Sequence, residues 1–443
     1  MILPFKEKIK DILIKMPIVF ICVDEWTDII RRNFLGVTAH GLINGSIESL
    51  IISFQKIKAE KVTGDYLQNK LGFLIQDLNI IENFDGIISD NATNMVSAFN
   101  NDIYKRKCCI AHTLNLIIQD IYKLFNEQLK ILKPLHTKTK KSTVYLNICK
   151  NANNSISKIS SYCPTRWYSL YEAVHSFNVS ILCLLQFLNV KKIQIPFNEE
   201  HINFFKELEG LLIFFKKSIE YFENDNFGQI SKAFTELFTL KDSCLNYIQN
   251  SSYLRQNYES VEKSINQRYE MIFNSWGNVI FAASLLHPNR FYLSQLNEEQ
   301  KRKGCELIKS LLYNTNDNQV NSFIGETPSQ IDYLRRNKND KTDFSDELQK
   351  FLMLSPPNDI DVLQFWLSHQ EIFPNLTQVA IKILSIPTSS ASIERVFSKA
   401  KELLNNKQLR TSENILEGRM MFMGNPLLFQ QFIEENWCGF FET

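Results

Sequence analysis

The apolar residues near the start of the chain form short runs separated by turn signals, as in an α/β protein. Residues 18–23 are apolar at every position, which is typical of a central strand buried on both faces. Residues 33–40 and 47–54 are two further strand candidates, and the Asn-Gly pair at 44–45 between them is a hairpin signal. The pattern therefore predicts three consecutive strands.

The next segments change to helical spacing and then return to a strand. Gly64 and Asp65 open a predicted helix, and a short apolar strand leads to Asp90. Residues 94–99 and 111–132 are predicted helices, the second of them ended by Pro134.

The predicted order is strand, strand, strand, helix, strand, helix, with the first three strands as an antiparallel meander. The fourth strand then lies beside the first, which is the order of the ribonuclease-H-like fold. That fold places its first carboxylate on the central strand. We therefore predict an α/β fold class with a ribonuclease-H-like catalytic core.

The middle of the chain is predicted to be helical, with little strand signal from about residue 169 to 375. Polar stretches at 314–321 and 335–343 are predicted loops. The domain prediction is a first core part over 1–168, a large all-helical insertion over 169–375, and a helical return to the core over 376–443.

The nearly neutral net charge limits where this chain could contact DNA. The chain has 443 residues, of which 44% are hydrophobic, and 49 basic residues balance 48 acidic ones. DNA contacts must then come from local patches, such as Lys133, Lys138, Lys140 and Lys141, for which a solvated loop is the alternative.

Cysteines and apolar runs favour an intracellular protein. The nine cysteines show no regular framework, as expected of reduced cysteines. No signal peptide is evident, and no apolar run approaches the roughly 18 residues of a membrane span, so no membrane partner is expected.

Three acidic residues are the candidates for chemistry. Asp24 ends the first buried run, Asp90 ends the fourth strand, and Glu394 lies near the start of a late helix. Two carboxylates at strand ends and one on a helix suit a two-metal phosphoryl-transfer site, since divalent ions take hard oxygen ligands. Glu25 should point to the opposite face from Asp24.

Each acid also has a purely structural alternative. Asp24 could face solvent at a strand end, and Asp90 could be the N-cap of the following helix or a turn residue before it. Glu394 could be a first-turn glutamate favoured by the helix dipole. Similarly, Cys109 and His112 lack a second ligand pair for a structural zinc site. For Arg166 and Trp167, the alternative is a solvated arginine beside a buried tryptophan.

Ordered motifs along nearly the whole chain resemble those of the hAT superfamily of DNA transposases and their domesticated relatives. The most specific block is the last, Ile-Pro-x-Ser-Ser-Ala-Ser-x-Glu-Arg-Val-Phe-Ser at 386–398. The other matching blocks are Asp-x-Trp-Thr at 24–27, Arg-Asn-Phe-Leu-Gly-Val-Thr-x-His at 32–40, Ser-Asp-Asn-Ala-x-Asn-Met at 89–95, Cys-x-x-His-x-Leu-Asn-Leu at 109–116 and Thr-Arg-Trp at 165–167.

The resemblance implies a catalytic site and a chemistry. Asp24, Asp90 and Glu394 match the family's catalytic acids, which would hold Mg²⁺ or Mn²⁺ for DNA strand cleavage and transfer. Arg166 and Trp167 match a DNA-binding motif whose tryptophan stacks on a flipped base. Cys109 and His112 match a helix-start pair near the active site, and the implied location is the nucleus.

The resemblance also implies a homodimer or larger homo-oligomer. In the family, the segment that matches about 380–425 dimerises, and the alternative is that its apolar stripe only covers its own core. The candidate contact residues are Val396, Phe397, Leu403, Leu404, Leu409 and Leu416.

Two departures from the family bear on function. Relatives usually carry a zinc-binding BED finger ahead of the first catalytic strand, whereas no Cys or His precedes Cys22 here. His287 precedes Pro288 where the family tends to have Asp. A domesticated, non-catalytic dimerising protein that associates with DNA or chromatin is therefore the main alternative. An unrelated ribonuclease-H-like nuclease would explain the fold alone.

Overall fold

The computed structural model describes a mixed α/β chain in which helices predominate. Its described residues are 2–43, 46–59, 61–156, 158–163, 166, 168–224, 226–314, 344–354, 356, 360–404 and 412–437. The chain divides into two compact units, unit 1 over 1–109, 223–235 and 275–443, and unit 2 over 110–222 and 236–274. These ranges differ from the predicted domain ranges, which stay a prediction.

The N-terminal part of unit 1 forms a sheet with flanking helices. Its elements are α1 (Ile2–Lys15), β1 (Val19–Thr27), β2 (Asn33–Ile43), β3 (Ser46–Lys56), α2 (Gly64–Asp77), β4 (Phe84–Ser89), α3 (Thr93–Phe99) and β5 (Lys107–Cys108). The described strands form one sheet in the order β3-β2-β1-β4-β5. β2 is antiparallel to β1 and β3, whereas β4 is parallel to β1 and β5.

This arrangement confirms the predicted meander and the return of the fourth strand beside the first. The first five residues of β1 are all buried, which fits its central position, with a strand on each edge and cover on both faces. The predicted turn at 44–45 lies outside the described residues. The sequence patterns predicted neither α1 nor the two-residue strand β5.

Unit 2 is helical, apart from its connections. The helices that follow β5 are α4 (Ile110–Leu124), α5 (Asn126–Leu129), α6 (Leu132–Thr139), α7 (Thr143–Asn151), α8 (Ser169–Val179), α9 (Ile181–Val190), α10 (Glu199–Phe222), α11 (Ala233–Gln249) and α12 (Tyr258–Trp276). A short 3₁₀ turn occupies Arg255–Asn257 in unit 2, and another occupies Gln229–Lys232 in unit 1.

The prediction of one long helix over 111–132 was wrong. The chain breaks at Phe125 and again after Leu129, and Pro134 is the third residue of α6 instead of a terminator. Proline is tolerated in a first turn because the N–H groups there have no partner within the helix.

The C-terminal part of unit 1 is also helical. Its helices are α13 (Asn278–Leu286), α14 (Arg290–Ser294), α15 (Glu298–Asn314), α16 (Phe344–Met353), α17 (Val362–Ser368), α18 (Pro374–Leu384), α19 (Ala391–Leu403), α20 (Glu413–Gly424) and α21 (Pro426–Trp437). Of the predicted loops, 335–343 and all but the first residue of 314–321 lie outside the described residues.

The edge of the sheet at β3 is covered by a side chain from the end of α20. Asn425 accepts a hydrogen bond from the Ile51 N–H at 2.9 Å and donates one to the Ile51 carbonyl at 3.0 Å. The buried amide therefore satisfies the backbone groups that an edge strand leaves open. In the described part of the chain, no single helix is long and apolar enough to span a membrane. Only α8 and α9 together, bent by 68°, reach that length and composition.

Candidate active site

One face of the central strands receives helix α19. Cys22, Asp24 and Trp26 share a face of β1, because side chains alternate along a strand. Asp24 pairs with Gly36 of β2 in the antiparallel register. Trp26 stacks on Phe397 of α19 with ring centroids 6.0 Å apart. Asp24 is therefore on the strand face to which α19 packs.

Gly36 lets α19 approach the sheet closely. A Cβ atom at this position would lie 2.7 Å from Cε1 of Phe397 and 3.3 Å from Cγ2 of Ile393. Both residues are neighbours of Glu394 on the same helix. The absence of a side chain at Gly36 thus brings Glu394 toward the strand that carries Asp24.

Buried polar contacts fix the start of α19. The Ser392 hydroxyl hydrogen-bonds to the Thr38 hydroxyl at 2.9 Å and to Nε2 of His40 at 3.0 Å. The N–H of Ser390 donates to Sγ of Cys109 at 3.3 Å. These contacts give the glutamate-bearing turn a defined position on the sheet.

The three predicted acids influence one another electrostatically. Burial raises the pKa of Asp24 well above its usual value, and the nearby carboxylates of Asp90 and Glu394 raise it further. Burial and Asp90 also raise the pKa of Glu394 to about 7, with Glu223 adding to the effect. Like charges have this effect only at short range in a poorly solvated place. The structure therefore brings the three residues to one location.

Two further acids lie at the same location, and sequence reasoning did not select them. The pKa of Glu25 is raised by burial and by Asp90, although Asn94 donates a hydrogen bond to it at 2.6 Å. Asp90 is thus near enough to affect both Asp24 and Glu25, whose side chains alternate along β1. Glu223, which follows α10, carries no local signal that could have identified it.

A buried arginine holds the turn that carries Asp90. Arg106 donates from Nε to the Ser89 hydroxyl at 2.7 Å and from Nη2 to Oδ1 of Asn91 at 2.9 Å. Nη2 also donates to the Asp90 carbonyl. Burial lowers the pKa of Arg106, and Cys108 and Asp90 partly offset this effect. The cation therefore holds the Asp90 carbonyl and the side chains on both sides of the acid.

The donor chemistry of the acids fits a hard divalent cation, which would relieve the repulsion between them. The side chains of Asp24 and Asp90 are turned toward nearby backbone, however. Asp24 accepts the Glu25 N–H at 2.7 Å and Asp90 accepts the Ala92 N–H at 3.1 Å. In the described part of the chain, no three His, Cys, Asp or Glu side chains are grouped closely enough to hold one ion.

The other predicted site residues are distributed over both units. Cys109, in unit 1, is buried and supports Ser390 as described above. In unit 2, His112 is half-buried on α4 and Arg166 is exposed ahead of α8. Trp167 lies outside the described residues.

Most of the predicted dimer-contact residues are covered within the chain. Val396, Phe397, Leu404 and Leu416 are buried in unit 1. Leu403 is half-buried, and Leu409 lies outside the described residues. The large apolar side chains left exposed on α20 and α21 include those of Ile415, Met423 and Leu427.

Comparisons with known proteins match the C-terminal part of the chain to a described family region. Residues 341–422 match the hAT family C-terminal dimerisation region, a range that includes α19 and most of α20. The chain is 21% identical over 431 residues to the transposable element Hobo transposase of Drosophila melanogaster. This alignment covers 85% of this chain and 65% of that protein.

A second relative has a different description. The chain is 20% identical over 467 residues to the protein named "Putative transcriptional regulator tpeD" of Talaromyces stipitatus. The alignment covers 91% of this chain and 53% of that protein. The chain thus spans between about half and two thirds of the length of these relatives.

Proposed function

We propose, from the premise that this chain is a hAT-family relative, that it is the catalytic and dimerisation portion of a hAT-type DNA transposase. The observation that carries the proposal is that the parallel pairing of β1 with β4 and the packing of α19 over Gly36 bring together the three distant segments that carry Asp24, Asp90 and Glu394. The strand order β3-β2-β1-β4-β5 supports a ribonuclease-H-like core, interrupted by a helical insertion.

In this proposal, a different structural element positions each acid. Asp24 is carried by the central strand, Asp90 by the turn that Arg106 holds, and Glu394 by the helix that packs over Gly36. With the side chains of Asp24 and Asp90 rotated away from the backbone N–H groups that they contact, the three carboxylates would hold Mg²⁺ or Mn²⁺. The metal would supply activation of an attacking oxygen and stabilisation of a leaving oxygen at a DNA phosphate. The corresponding place of action is the nucleus.

The matched dimerisation region supports homo-oligomerisation. We assign the contact to the exposed side of α20 and the start of α21, because the inner side of α20 is already buried. Ile415 and Met423 lie two helical turns apart on that side, and they are 52% and 43% exposed. A second copy of the chain would cover this apolar surface.

The function is tested by metal-dependent cleavage of DNA that carries the element's own terminal sequences. The variants Asp24→Asn, Asp90→Asn and Glu394→Gln should each lose at least about 100-fold in rate, since each removes a charged ligand. Glu402→Gln, on an exposed position of the same helix, is the matched control and should cleave normally. Undiminished cleavage by all three variants would refute the site assignment.

The relation to a protein named as a transcriptional regulator favours one second candidate, a domesticated protein that dimerises on DNA or chromatin without cleaving it. In that case, the wild-type protein would dimerise and bind DNA but show no metal-dependent cleavage. The three acid variants would then bind DNA as the wild type does.

A further inference from the structure

One segment of unit 2 has a charge balance unlike that of the whole chain. Between Glu127 and Glu172 the sequence contains no Asp or Glu but eight Lys and Arg residues, whereas the chain has 49 basic and 48 acidic residues in total. The eight are Lys130, Lys133, Lys138, Lys140, Lys141, Lys150, Lys158 and Arg166. Such a local excess produces a strongly positive surface if its members are exposed together.

The fold of α6 exposes its lysines. Leu132, Leu135 and Thr139 are buried at helical spacing, so that Lys133 and Lys138 lie on the solvent side. Lys140 and Lys141 follow at the end of the helix and are also exposed. The helix dipole favours positive charge at this end.

A later part of the segment is tied to the same end of α6. The N–H of Ile159 donates to the Thr139 hydroxyl at 3.1 Å, and Nδ1 of His136 hydrogen-bonds to the Ile159 carbonyl at 2.6 Å. Lys158, the residue before Ile159, is exposed. The two hydrogen bonds thus hold the backbone next to Lys158 against the end of α6 that carries Lys138 and Lys140.

Most of these charges have no ion-pair partner among the described residues. Lys130 pairs with Glu127. Within the ranges that the structure describes, the other seven basic side chains of the segment make no ion pair. Clustered cations without internal counterions repel one another, and a bound polyanion would remove that repulsion.

We propose that Lys138, Lys140 and Lys158, with the neighbouring basic residues of α6, form a surface that binds the phosphate backbone of duplex DNA. The choice of DNA among polyanions rests on the proposed function, but the binding itself needs none of the three acids. Contacts to phosphates hold DNA without reading its sequence, and their strength falls as salt rises because bound counterions are released.

The test is fluorescence anisotropy with a labelled random-sequence duplex of about 30 base pairs, titrated over about 0.05–0.3 M salt. EDTA is present throughout, so that cleavage plays no part. The triple variant Lys138→Gln/Lys140→Gln/Lys158→Gln should lower the slope of log K against log salt by about 2 to 3. Its affinity at about 0.1 M salt should fall at least tenfold for any duplex sequence.

The matched control is Lys206→Gln/Lys217→Gln/Lys263→Gln, three exposed lysines of unit 2 that lie among glutamates in the sequence. The control should bind within about twofold of wild type, because these lysines belong to no acid-free segment. Equal losses in both triple variants would overturn the proposal, since net charge alone would then explain binding.

Two further outcomes assign the surface to another partner. Tighter patch-dependent binding of duplex RNA, or of vesicles with anionic lipids, than of duplex DNA would contradict the proposal in favour of that partner. Patch-dependent DNA binding without any metal-dependent cleavage would uphold the surface and count against the transposase proposal. If the triple variant cleaves DNA and binds it as tightly as wild type, the result would uphold the transposase proposal and contradict the proposed surface.

Discussion

Trp26 of β1 stacks on Phe397 of α19, with ring planes inclined by only 14°. Asp24 lies two residues before Trp26 on the same strand face, and Glu394 lies one helical turn before Phe397. This aromatic contact, together with the close approach at Gly36 and the hydrogen bonds of Ser392, aligns the two segments that carry these carboxylates. The remaining acid, Asp90, is held independently by Arg106.

Gly36→Ala should force α19 away from the sheet. Its new methyl group would meet the Phe397 ring at 2.7 Å. Overpacking of this kind costs about 1–3 kcal/mol, which urea unfolding would measure. Phe397→Leu, combined with Gly36→Ala, makes room and should recover part of the loss. A Gly36→Ala protein as stable as wild type would show that α19 does not pack this closely.

The contribution of Glu394 to the stability of the metal-free protein should fall as pH rises toward neutrality. The folded-state pKa of Glu394 is about 7, against a usual 4.5, so the folded state binds this proton more tightly than the unfolded state does. The stabilisation is full below about pH 4.5 and is lost as pH rises through about 7. Its size is up to about 3 kcal/mol.

Urea unfolding in EDTA at about pH 5 and pH 8 measures this effect as the difference between wild type and Glu394→Gln. The variant should show a weaker decrease with pH. His287, whose pKa burial lowers to about 3, acts in the opposite direction in both proteins and cancels in the difference. Identical pH dependence in both proteins would mean that Glu394 is not in the acidic cluster.

Ile415→Glu/Met423→Glu should weaken dimerisation without harming the fold. Both side chains are exposed within one chain, and charges placed in an apolar interface should raise the dissociation constant at least about tenfold. Sedimentation equilibrium at micromolar concentration measures this, with the melting temperature as the check on folding.

Leu416→Ala is the contrasting variant, because Leu416 is buried in the chain. It should cost about 2–5 kcal/mol of stability while leaving the dimer contact of the folded protein intact. A wild-type protein that is strictly monomeric at these concentrations would remove the basis for the assignment.

Asn425→Ala should expose the edge of the sheet. The substitution removes both side-chain hydrogen bonds to Ile51 and leaves buried backbone groups unsatisfied, at about 2–4 kcal/mol. Faster aggregation should accompany the lower stability, since open strand edges pair with other chains. Asn436→Ala, at an exposed position of α21, is the control and should change little. Equal stability of the two variants would argue against this role of Asn425.

The sequence predicted the sheet well because its signals are local. The run at 18–23 reports the burial of β1 directly. Asp90 follows β4 as predicted, whereas Asp24 lies within β1, which continues to Thr27. Once β4 is placed beside β1, the proximity of these two acids follows from the topology. Acids carried by adjacent parallel strands are thus within reach of pattern reasoning.

Other features depend on contacts between distant segments and leave no local trace. Phe5 of α1 packs against Phe422, Phe429 and Phe432 near the C-terminus. Glu223 reaches Glu394 only through the fold. Periodicity also identifies the apolar side of a helix without saying what covers it. Phe397, for example, packs on Trp26 and Phe54 of its own chain.

Direct binding of Mn²⁺ to the folded protein, followed by isothermal titration or electron paramagnetic resonance, tests the central claim that Asp24, Asp90 and Glu394 form one cation site. Wild type and Glu402→Gln should bind alike, whereas Asp24→Asn, Asp90→Asn and Glu394→Gln should each weaken binding at least about tenfold. Full-strength binding in all three variants, each shown to be folded, would contradict the account.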